Sequence, residues 1–469
     1  MISKWIDASR RRAFSILQSV RYLAHRGGIS RNRLYQSLVD RMSWWPLAWF
    51  SGTICQPGAQ PNVAYVLWHY PILSETFIQR EIKAVRHAGI AIQIVAEAPE
   101  EPTISALKSV EGGVTYLASI DKTARRRLAW TFFYRRPLRF LNLLLYILFH
   151  RYANYKTIRN DLDLMLKSCH LAAILKEQSI NHVHAPWADT QAFIAMIAAR
   201  LLNLSYSVHV RASELHANSF SFAIPEKLLN ASFVVTNSLF NAQHLRPILA
   251  ERAAERLHII YNGLDLAQFN PSEHRKSDAI TILAVGRLVE AKGFPVLLKA
   301  CQIIRDRGIR FHCEIIGGQQ EERDANTYLV LKKLHRSLKL EDHVRFLGPQ
   351  PFDRVLEAYN NADVFALPCV IAASGSRDIT PNSLLEAMAM RLAAVSTPSG
   401  AIPEIIDDGV NGLLIPSNDE GALADALIIL AQDPVLRQRL GRAAREKIQS
   451  RFDIARNMDH YATLFRNNV

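Results

Sequence analysis

Short apolar runs alternate with amphipathic runs along most of the chain after residue 61, and this alternation predicts an α/β fold. Apolar strands that alternate with helices are typical of a parallel sheet covered by helices on both faces. In the first half of the chain we predict strands Ala64–Leu67, Ile90–Ala96, Asn181–His184, Tyr206–Val210, Phe233–Thr236 and Leu257–Tyr261, and helices Glu75–Ala88 and Thr190–Leu202.

The same alternation restarts after a polar stretch, Asn270–Asp278 (NPSEHRKSD). We therefore predict two doubly wound α/β domains, residues 61–270 and 271–450, with a ligand cleft between them at the carboxyl ends of their strands. The second domain has predicted strands Ile280–Val285, Arg310–Ile316, Val344–Leu347, Val364–Leu367 and Ala393–Ser396, and helices Pro295–Arg307, Thr327–Leu338, Asp353–Asn361, Ser383–Met390 and Gly421–Ala431.

Composition fits a globular protein of two or three domains, with 469 residues of which 49% are hydrophobic and 21% charged. The five cysteines show no CxxC spacing, which favours a reducing compartment over a disulfide or zinc framework. The longest apolar run, Phe140–Phe149, is about half of what a membrane-spanning helix needs. The first residues carry interspersed charges, so no secretory leader is expected. We predict a cytoplasmic protein that does not span a membrane.

The net charge of +13 is concentrated in residues 1–60 and 121–159, which are also rich in large apolar side chains such as Trp44 and Trp130. Arginine mixed with Trp, Phe and Leu suits an anionic membrane surface. A solvated helical face with its aromatics in the core fits the same pattern. Nucleic acid is disfavoured, because no nucleic-acid-binding motif accompanies the charge. An Asp161-x-Asp163 pair reads as a solvated helical face, so we predict no metal.

Two segments of the second half carry candidate chemistry. In ILAVGRLVEAKG (282–293) a strand runs into a turn with Arg287 and Lys292, which together could clamp a diphosphate. In DITPNSLLEAMA (378–389) a helix opens at Pro381, and its first N–H groups favour an anion. Glu386 lies one turn further in, where a carboxylate can accept hydrogen bonds from a ribose. Each segment alone is more often an ordinary solvated loop.

Taken together, GRLVEAKG, EIIGG (314–318), VRFLG (344–348), Asp378-x7-Glu386 and SGAIPE (399–404) resemble the retaining family-4 glycosyltransferases. The resemblance runs in order over residues 62–455. YPILSETF (70–77) and HVHAPWA (182–188) resemble the branch that builds bacterial exopolysaccharide or colanic-acid-type polymers. It implies the GT-B architecture, two Rossmann-like domains with an interdomain cleft, and a C-terminal helix, residues 451–469, that returns to the first domain.

The resemblance implies a role for each matching residue. Arg287 and Lys292 would bind the donor diphosphate and stabilise it as it leaves, and Glu386 would hold the ribose. Asp378 would contact the transferred hexose. The catalytic set would be Arg287, Lys292, Asp378 and Arg211. The donor site would add the backbone at Asn382, Ser383 and Leu384, together with Gly317 near the base. The acceptor side would comprise Tyr70, Ser74, Glu75, Thr76, His184 and Glu214, although a packed core histidine is the alternative for His184.

One departure from the family pattern lies in HVRASEL (209–215). Arg211 stands where the family usually has His, and Glu214 where it has Asp. An arginine could contact phosphate but cannot act as a neutral imidazole.

The sequence therefore predicts a metal-independent, cofactor-free retaining hexosyltransferase in bacterial cell-surface polysaccharide synthesis. Its donor would be a nucleotide-sugar. Its acceptor would be a lipid-linked saccharide at the inner face of the cytoplasmic membrane. An epimerase or phosphorylase of similar fold is disfavoured by the LLEAMA helix together with GRLVEAKG. The alternative is a non-catalytic GT-B-shaped partner of a polysaccharide assembly complex, which Arg211 suggests.

Overall fold

The computed structural model describes residues 60–72, 76–99, 113–149, 158–211, 215, 223–272, 279–318 and 322–469. The predicted basic extension, residues 1–60, lies outside this range except for Gln60. Ser74, Glu75 and Glu214 also lie outside it, as does the side chain of Thr76.

The first half of the described chain forms a parallel sheet in the order β3-β2-β1-β4-β5-β6-β7. Its central strands are buried along nearly their whole length, because helices cover both faces, whereas the edge strands Val114–Tyr116 and Leu257–Ile259 are half-buried. The strands are β1 (Asn62–His69), β2 (Ala91–Ala98), β3 (Val114–Tyr116), β4 (His182–Ala185), β5 (Ser205–Val210), β6 (Phe233–Thr236) and β7 (Leu257–Ile259).

The helices of this half connect successive strands. One of them shows why its bounds could be predicted: its first turn is capped by the Asp189 carboxylate, and it ends where Asn203 adopts a left-handed conformation. The helices are α1 (Thr76–His87), α2 (Lys122–Arg135), α3 (Pro137–Phe149), α4 (Ile158–Glu177), α5 (Thr190–Leu202), α6 (Ile224–Leu229) and α7 (Leu239–Ala254).

The second half forms another parallel sheet, in the order β10-β9-β8-β11-β12-β13. Its strands are β8 (Ile280–Val285), β9 (Phe311–Ile316), β10 (Val344–Gly348), β11 (Val364–Leu367), β12 (Ala393–Ser396) and β13 (Leu413–Leu414). Its helices are α8 (Phe294–Asp306), α9 (Glu322–Ser337), α10 (Phe352–Asn361), α11 (Asn382–Ala389), α12 (Ile402–Ile405), α13 (Glu420–Gln432) and α14 (Pro434–Arg451). The predicted fold class, two doubly wound α/β sheets, is confirmed.

The last helix, α15 (Ile454–Asn467), returns to the first sheet. Tyr461 and Phe465 of α15 are fully buried in an apolar cluster with Tyr65 of β1 and Ile82 of α1. A backbone bridge between Leu264 and Asp453 joins the two chain segments that run from one half to the other. The chain thus passes twice from one half to the other, which ties the two sheets together beside the cleft.

The segment between β3 and β4 holds helices that the hydrophobic pattern did not outline. In α2 the apolar residues are spread around the helix rather than gathered on one face, so no helical period marks it. The prediction of a solvated Asp161-x-Asp163 face is wrong for Asp161, which is fully buried. Asp163 is half-buried and lies 3.9 Å from Lys167 Nζ, while the packing of α4 against α5 turns position 161 inward.

In each sheet the strand order reverses at one point, between β1 and β4 and between β8 and β11. Ligands of open parallel sheets bind outside the carboxyl ends of the strands at such a point. The loops that follow β8 and β11 carry Arg287, Lys292 and Asp378, and Tyr70 follows β1. The topology therefore brings most of the predicted residues to these edges.

Candidate functional site

Three loops of the second sheet are held in close contact by glycines. Gly317 has φ +149°, and a Cβ there would overlap the carbonyl oxygen of Gly286 in the loop after β8. Gly293 has φ +70°, and a Cβ there would overlap the carbonyl oxygen of Pro368 after β11. Only glycine fits such approaches. Gly317, predicted as a turn residue of the donor site, thus fixes the spacing of the loops that form this edge.

The two predicted cations of the loop after β8 have different surroundings. Arg287 is exposed, and among the described residues no side chain pairs with it. Lys292 ends a short 3-10 turn and forms an ion pair with Asp378 across the edge of the sheet. The structure therefore brings Lys292 and Asp378 together, with both side chains largely shielded from solvent.

The Asp378 loop is held from behind by the SGAIPE turn. Gly400 has φ +57°, and a Cβ there would overlap the carbonyl oxygen of Asp378. The Ala401 N–H donates to the Ile379 carbonyl at 3.0 Å. The SGAIPE motif thus positions the loop that carries Asp378.

Helix α11 begins directly after Pro381 and is buried along its length. The first N–H groups of a helix have no partner inside it and carry partial positive charge, which suits an anion. Leu384 differs from the expectation: its N–H donates to the Pro381 carbonyl at 3.1 Å, because Pro381 already acts as the helix cap. Among the described residues, the N–H groups of Asn382 and Ser383 donate to no backbone carbonyl, so these two positions keep free donors in the first turn.

Glu386 is the most buried acid at this edge, with 9% of its surface exposed. Its Oε1 accepts from Arg80 Nη2 at 3.1 Å, and its Oε2 accepts from the Tyr359 hydroxyl at 3.2 Å. Burial raises the pKa of Glu386, while Arg80, Tyr359 and Lys292 oppose that rise. Glu386 thus sits between a cation of the first half and a tyrosine of α10.

Arg211 lies in the interior of the first half, 2% exposed. Its Nη2 donates to Glu81 Oε2 at 2.5 Å, its Nε donates to the Pro186 carbonyl at 2.9 Å, and its Nη1 donates to Asn262 at 3.1 Å. The guanidinium lies 5.0 Å from the ring centroid of Phe77. All three guanidinium nitrogens of Arg211 donate to protein oxygens in this structure. The contact between Arg211 and a donor phosphate stays a prediction.

His184 is fully buried and belongs to a chain of hydrogen bonds beneath α15. Its Nδ1 lies 2.8 Å from the Ser207 hydroxyl and its Nε2 lies 3.0 Å from the Tyr461 hydroxyl. Tyr461 also contacts His209 Nδ1 at 3.2 Å. His184 is therefore a packed core histidine in this structure, as the alternative interpretation expected. Burial lowers the pKa of His184 and of His209.

On the acceptor side, the structure describes Tyr70 at the end of β1. Its ring is buried, which raises the pKa of its hydroxyl, and its carbonyl accepts from the Tyr116 hydroxyl at 3.1 Å. Ser74, Glu75 and Glu214 lie outside the described residues, and of Thr76 only the backbone, the first residue of α1, is described.

Sequence reasoning missed the contacts that join the two halves at the cleft. Asn237 and Asn262 of the first half donate to the Thr380 hydroxyl at 3.1 and 3.3 Å. Glu404 accepts from the N–H groups of Leu239 and Phe240 at 2.8 and 2.7 Å. Glu404 belongs to the SGAIPE motif, but a local motif carries no signal for a partner 165 residues away.

Residues 267–447 match the family model "Glycosyl transferases group 1". They form a group 1 glycosyltransferase domain. The match holds β8, the Lys292 turn, Asp378 and α11, so the candidate site of the second half lies within it.

Two curated relatives match the chain over about 200 residues. The chain is 34% identical to the putative colanic acid biosynthesis glycosyltransferase WcaL of Escherichia coli K12, over 42% of this chain and 48% of WcaL. It is 33% identical to the amylovoran biosynthesis glycosyltransferase AmsK of Erwinia amylovora, over 43% of this chain and 48% of AmsK. The matches thus span about half the length of these relatives.

Among solved structures, Anabaena Alr3699/HepE in complex with UDP superposes with a TM-score of 0.64 at 16% identity. The superposition covers 87% of this chain and all of HepE. This likeness extends over both halves, and it shows that the chain has the GT-B fold.

Within the described ranges, no helix is both long and apolar enough to cross a bilayer. In the same ranges, no three His, Cys, Asp or Glu side chains converge as metal ligands would.

Proposed function

We propose that the protein is a retaining hexosyltransferase that uses a nucleotide-sugar donor. The observation that carries the proposal is the cluster at the carboxyl edge of the second sheet. There Lys292 pairs with Asp378 and lies near enough to Glu386 of α11 to lower its pKa, and Arg287 lies exposed on the same loop as Lys292. The cluster combines cations and free N–H groups for a diphosphate with two carboxylates for sugar and ribose hydroxyls. A domain match to group 1 glycosyltransferases and the UDP bound by the HepE fold relative support it.

In the reaction, the glycosidic bond between the hexose and the donor diphosphate breaks, and negative charge develops on the leaving phosphate. Arg287 and Lys292 would stabilise that charge, together with the N–H groups at Asn382 and Ser383. Asp378 would orient the hexose. The acceptor hydroxyl oxygen would form the new bond to the anomeric carbon on the same face of the sugar, and the leaving phosphate would accept that hydroxyl's proton. We expect no metal or cofactor in this chemistry.

The donor site can be tested by thermal shift and slow donor hydrolysis with UDP-, GDP- and ADP-sugars, with EDTA present throughout. We expect one nucleotide to stabilise the protein and Lys292→Met to weaken that effect by roughly tenfold or more in affinity, as a lost charged hydrogen bond requires. Lys299→Met is the matched control, because Lys299 pairs with Glu420 on the exposed surface of the same half. Stabilisation by none of the nucleotides would refute the proposal and favour a non-catalytic partner of an assembly complex.

For the acceptor, we propose a growing, lipid-linked saccharide of a bacterial cell-surface polysaccharide. The names of WcaL and AmsK, glycosyltransferases of colanic acid and amylovoran biosynthesis, support this choice. Incubation of the purified protein with labelled donor and a membrane extract of the producing bacterium should place label in the organic-soluble lipid fraction. Label that stays in water-soluble sugar would count against a lipid-linked acceptor.

We further propose that α2 and α3 meet an anionic membrane surface on the cytoplasmic side. Trp130 and Tyr134 are 59% and 76% exposed and stack on each other with ring centroids 5.9 Å apart. Arg126 is exposed four residues before Trp130, so arginine and aromatics share one helical face. Aromatic rings beside cations suit the interface of an anionic bilayer. Arg125 is not part of this face, because it is buried and donates to the Leu117 carbonyl.

Sedimentation with vesicles tests this surface. We expect binding to vesicles that contain phosphatidylglycerol and weaker binding to vesicles of phosphatidylcholine alone. Binding to both kinds of vesicle should be lost when the salt concentration is raised. The double variant Trp130→Ser, Tyr134→Ser should bind less than Val435→Ser, which removes an equally exposed apolar side chain from α14. Equal binding by the two variants would refute the assignment.

A further inference from the structure

The Arg80 side chain crosses from the first half of the molecule to the candidate donor site of the second. Arg80 belongs to α1, which packs on the first sheet, and its Nη2 lies 3.1 Å from Glu386 Oε1 on α11. Its guanidinium also lies 5.9 Å from the ring centroid of Phe352 at the start of α10. Three elements from two halves therefore enclose this one cation.

The second terminal nitrogen of Arg80, Nη1, is buried and has no hydrogen-bond partner among the described residues. A buried N–H of a charged group that lacks a partner is costly, and proteins leave few of them unsatisfied. Because Nη1 and Nη2 belong to one planar fork, Nη1 lies next to the carboxylate that Nη2 already contacts. An oxygen of a ligand bound to Glu386 would satisfy it.

The hydrogen-bonding capacity of Glu386 decides whether Arg80 blocks a ligand or joins it. A carboxylate offers about four acceptor positions. Arg80 occupies one on Oε1 and the Tyr359 hydroxyl occupies one on Oε2, so two positions stay open. A ribose diol needs two acceptors, and each of its hydroxyl oxygens can in turn accept a hydrogen bond. Arg80 and a ribose can therefore bind Glu386 together.

We propose that Arg80 is a donor-binding residue supplied by the first half: its Nη2 orients Glu386, and its Nη1 donates to a ribose hydroxyl that Glu386 accepts from. This inference rests on the proposed function, and it adds a residue that none of the matching motifs includes. It makes the ribose subsite a shared site of both halves, complete only when α1 lies against α11.

The proposal predicts a specific loss of ribose recognition. The nucleotide that binds best among UDP, GDP and ADP would be compared with its 2′-deoxy and 3′-deoxy forms by isothermal titration. We expect the wild-type protein to prefer the ribonucleotide over at least one deoxy form by about tenfold or more, the value of a charged hydrogen bond. In Arg80→Met that preference should shrink to a few-fold, and affinity for the ribonucleotide should fall.

Lys83→Met is the matched control, because Lys83 lies exposed on the same helix and its loss removes the same charge. Arg80→Lys keeps the charge but not the fork, so it should retain affinity better than Arg80→Met while still losing the ribose preference. If Arg80→Met fails to fold, the ratio of ribonucleotide to deoxynucleotide affinity measured in Arg80→Lys tests the proposal instead.

The outcomes separate the two proposals. If the wild-type protein binds no nucleotide, the proposed function fails and this inference fails with it. If the wild-type protein binds a nucleotide and the Arg80 variants keep the full ribose preference, the proposed function stands and the role of Arg80 is overturned. A reduced preference in the Arg80 variants alone supports the inference.

Discussion

Replacing Glu404 with alanine should loosen the two halves of the molecule at the cleft. The Glu404 carboxylate belongs to the second half but caps the first turn of α7 in the first half, accepting from the N–H groups of Leu239 and Phe240 at 2.8 and 2.7 Å. It also accepts from the Tyr261 hydroxyl at 2.8 Å. Burial and this carboxylate raise the pKa of Tyr261 to about 12, so the hydroxyl stays a donor at neutral pH.

The cost follows from the bonds removed by Glu404→Ala. Loss of a helix cap costs about 0.5–2 kcal/mol, and loss of the tyrosine hydrogen bond adds about 0.5–1.5 kcal/mol. The expected loss is therefore about 1–3.5 kcal/mol. For a domain of 150–250 residues, each kcal/mol lowers Tm by about 2–4 °C, so differential scanning calorimetry should show a fall of several degrees.

Asp433→Ala provides the matched control. Asp433 caps α14 by accepting from Val435 and Leu436 at 3.0 and 2.9 Å, and all three residues lie in the second half. Both variants should lose stability, but only Glu404→Ala should also increase the radius of gyration in small-angle scattering. An unchanged radius with an unchanged Tm would refute the role of Glu404 as a link between the halves. A radius that rises equally in both variants would show that cap loss alone opens the cleft.

Three further outcomes are expected. Gly317→Ala should weaken nucleotide binding in titrations and lower Tm, because its Cβ meets the Gly286 carbonyl and φ +149° strains any other residue; unchanged binding would contradict the close loop contact. Nucleotide affinity should fall as pH drops through the raised pKa of Glu386, since the ionised carboxylate accepts from ribose. Arg80→Met should move the midpoint of this affinity loss to higher pH, because it removes the cation that opposes the rise in the Glu386 pKa. An unmoved midpoint in an affinity–pH series would count against the Arg80–Glu386 pair. His182 is buried with its pKa lowered to about 3 from 6.5, so the unfolded chain binds its proton first, and stability should fall as pH drops from about 6.5 towards 3. Unfolding midpoints in denaturant that stay flat over that interval would contradict this.

The strands and the helices between them could be predicted where burial is two-sided and the caps are local. The helix Thr190–Leu202 and the strands Phe233–Thr236, Ile280–Val285 and Val364–Leu367 have the predicted bounds. Their apolar runs are continuous and end at turn residues, so neighbouring positions in the chain hold the whole signal. In contrast, the apolar residues of α2 are spread around the helix among its arginines, so no helical period in the sequence marks this element.

The site was predictable where its residues follow one strand in sequence, and not where they meet across the fold. The cations of GRLVEAKG and the acids of the Asp378 segment lie on loops that the topology places at one edge. Arg80 meets Glu386 across 306 residues, and Tyr359 meets it from a separate helix. Neither partner belongs to a local motif, because hydrogen bonds of this kind depend on the packing of α1 and α10 against α11.

The charges at the cleft explain how the edge stays folded before a ligand arrives. Lys292 pairs with Asp378 and Arg80 pairs with Glu386, so each carboxylate proposed to hold a sugar hydroxyl already faces a cation. Arg211, the residue that departs from the family pattern, is neutralised by Glu81 in the first half. Among the described predicted site residues, the exposed Arg287 and the first turn of α11 thus remain without a neutralising carboxylate. A donor diphosphate would supply the missing negative charge there, while its sugar and ribose hydroxyls would add to the two existing ion pairs without breaking them.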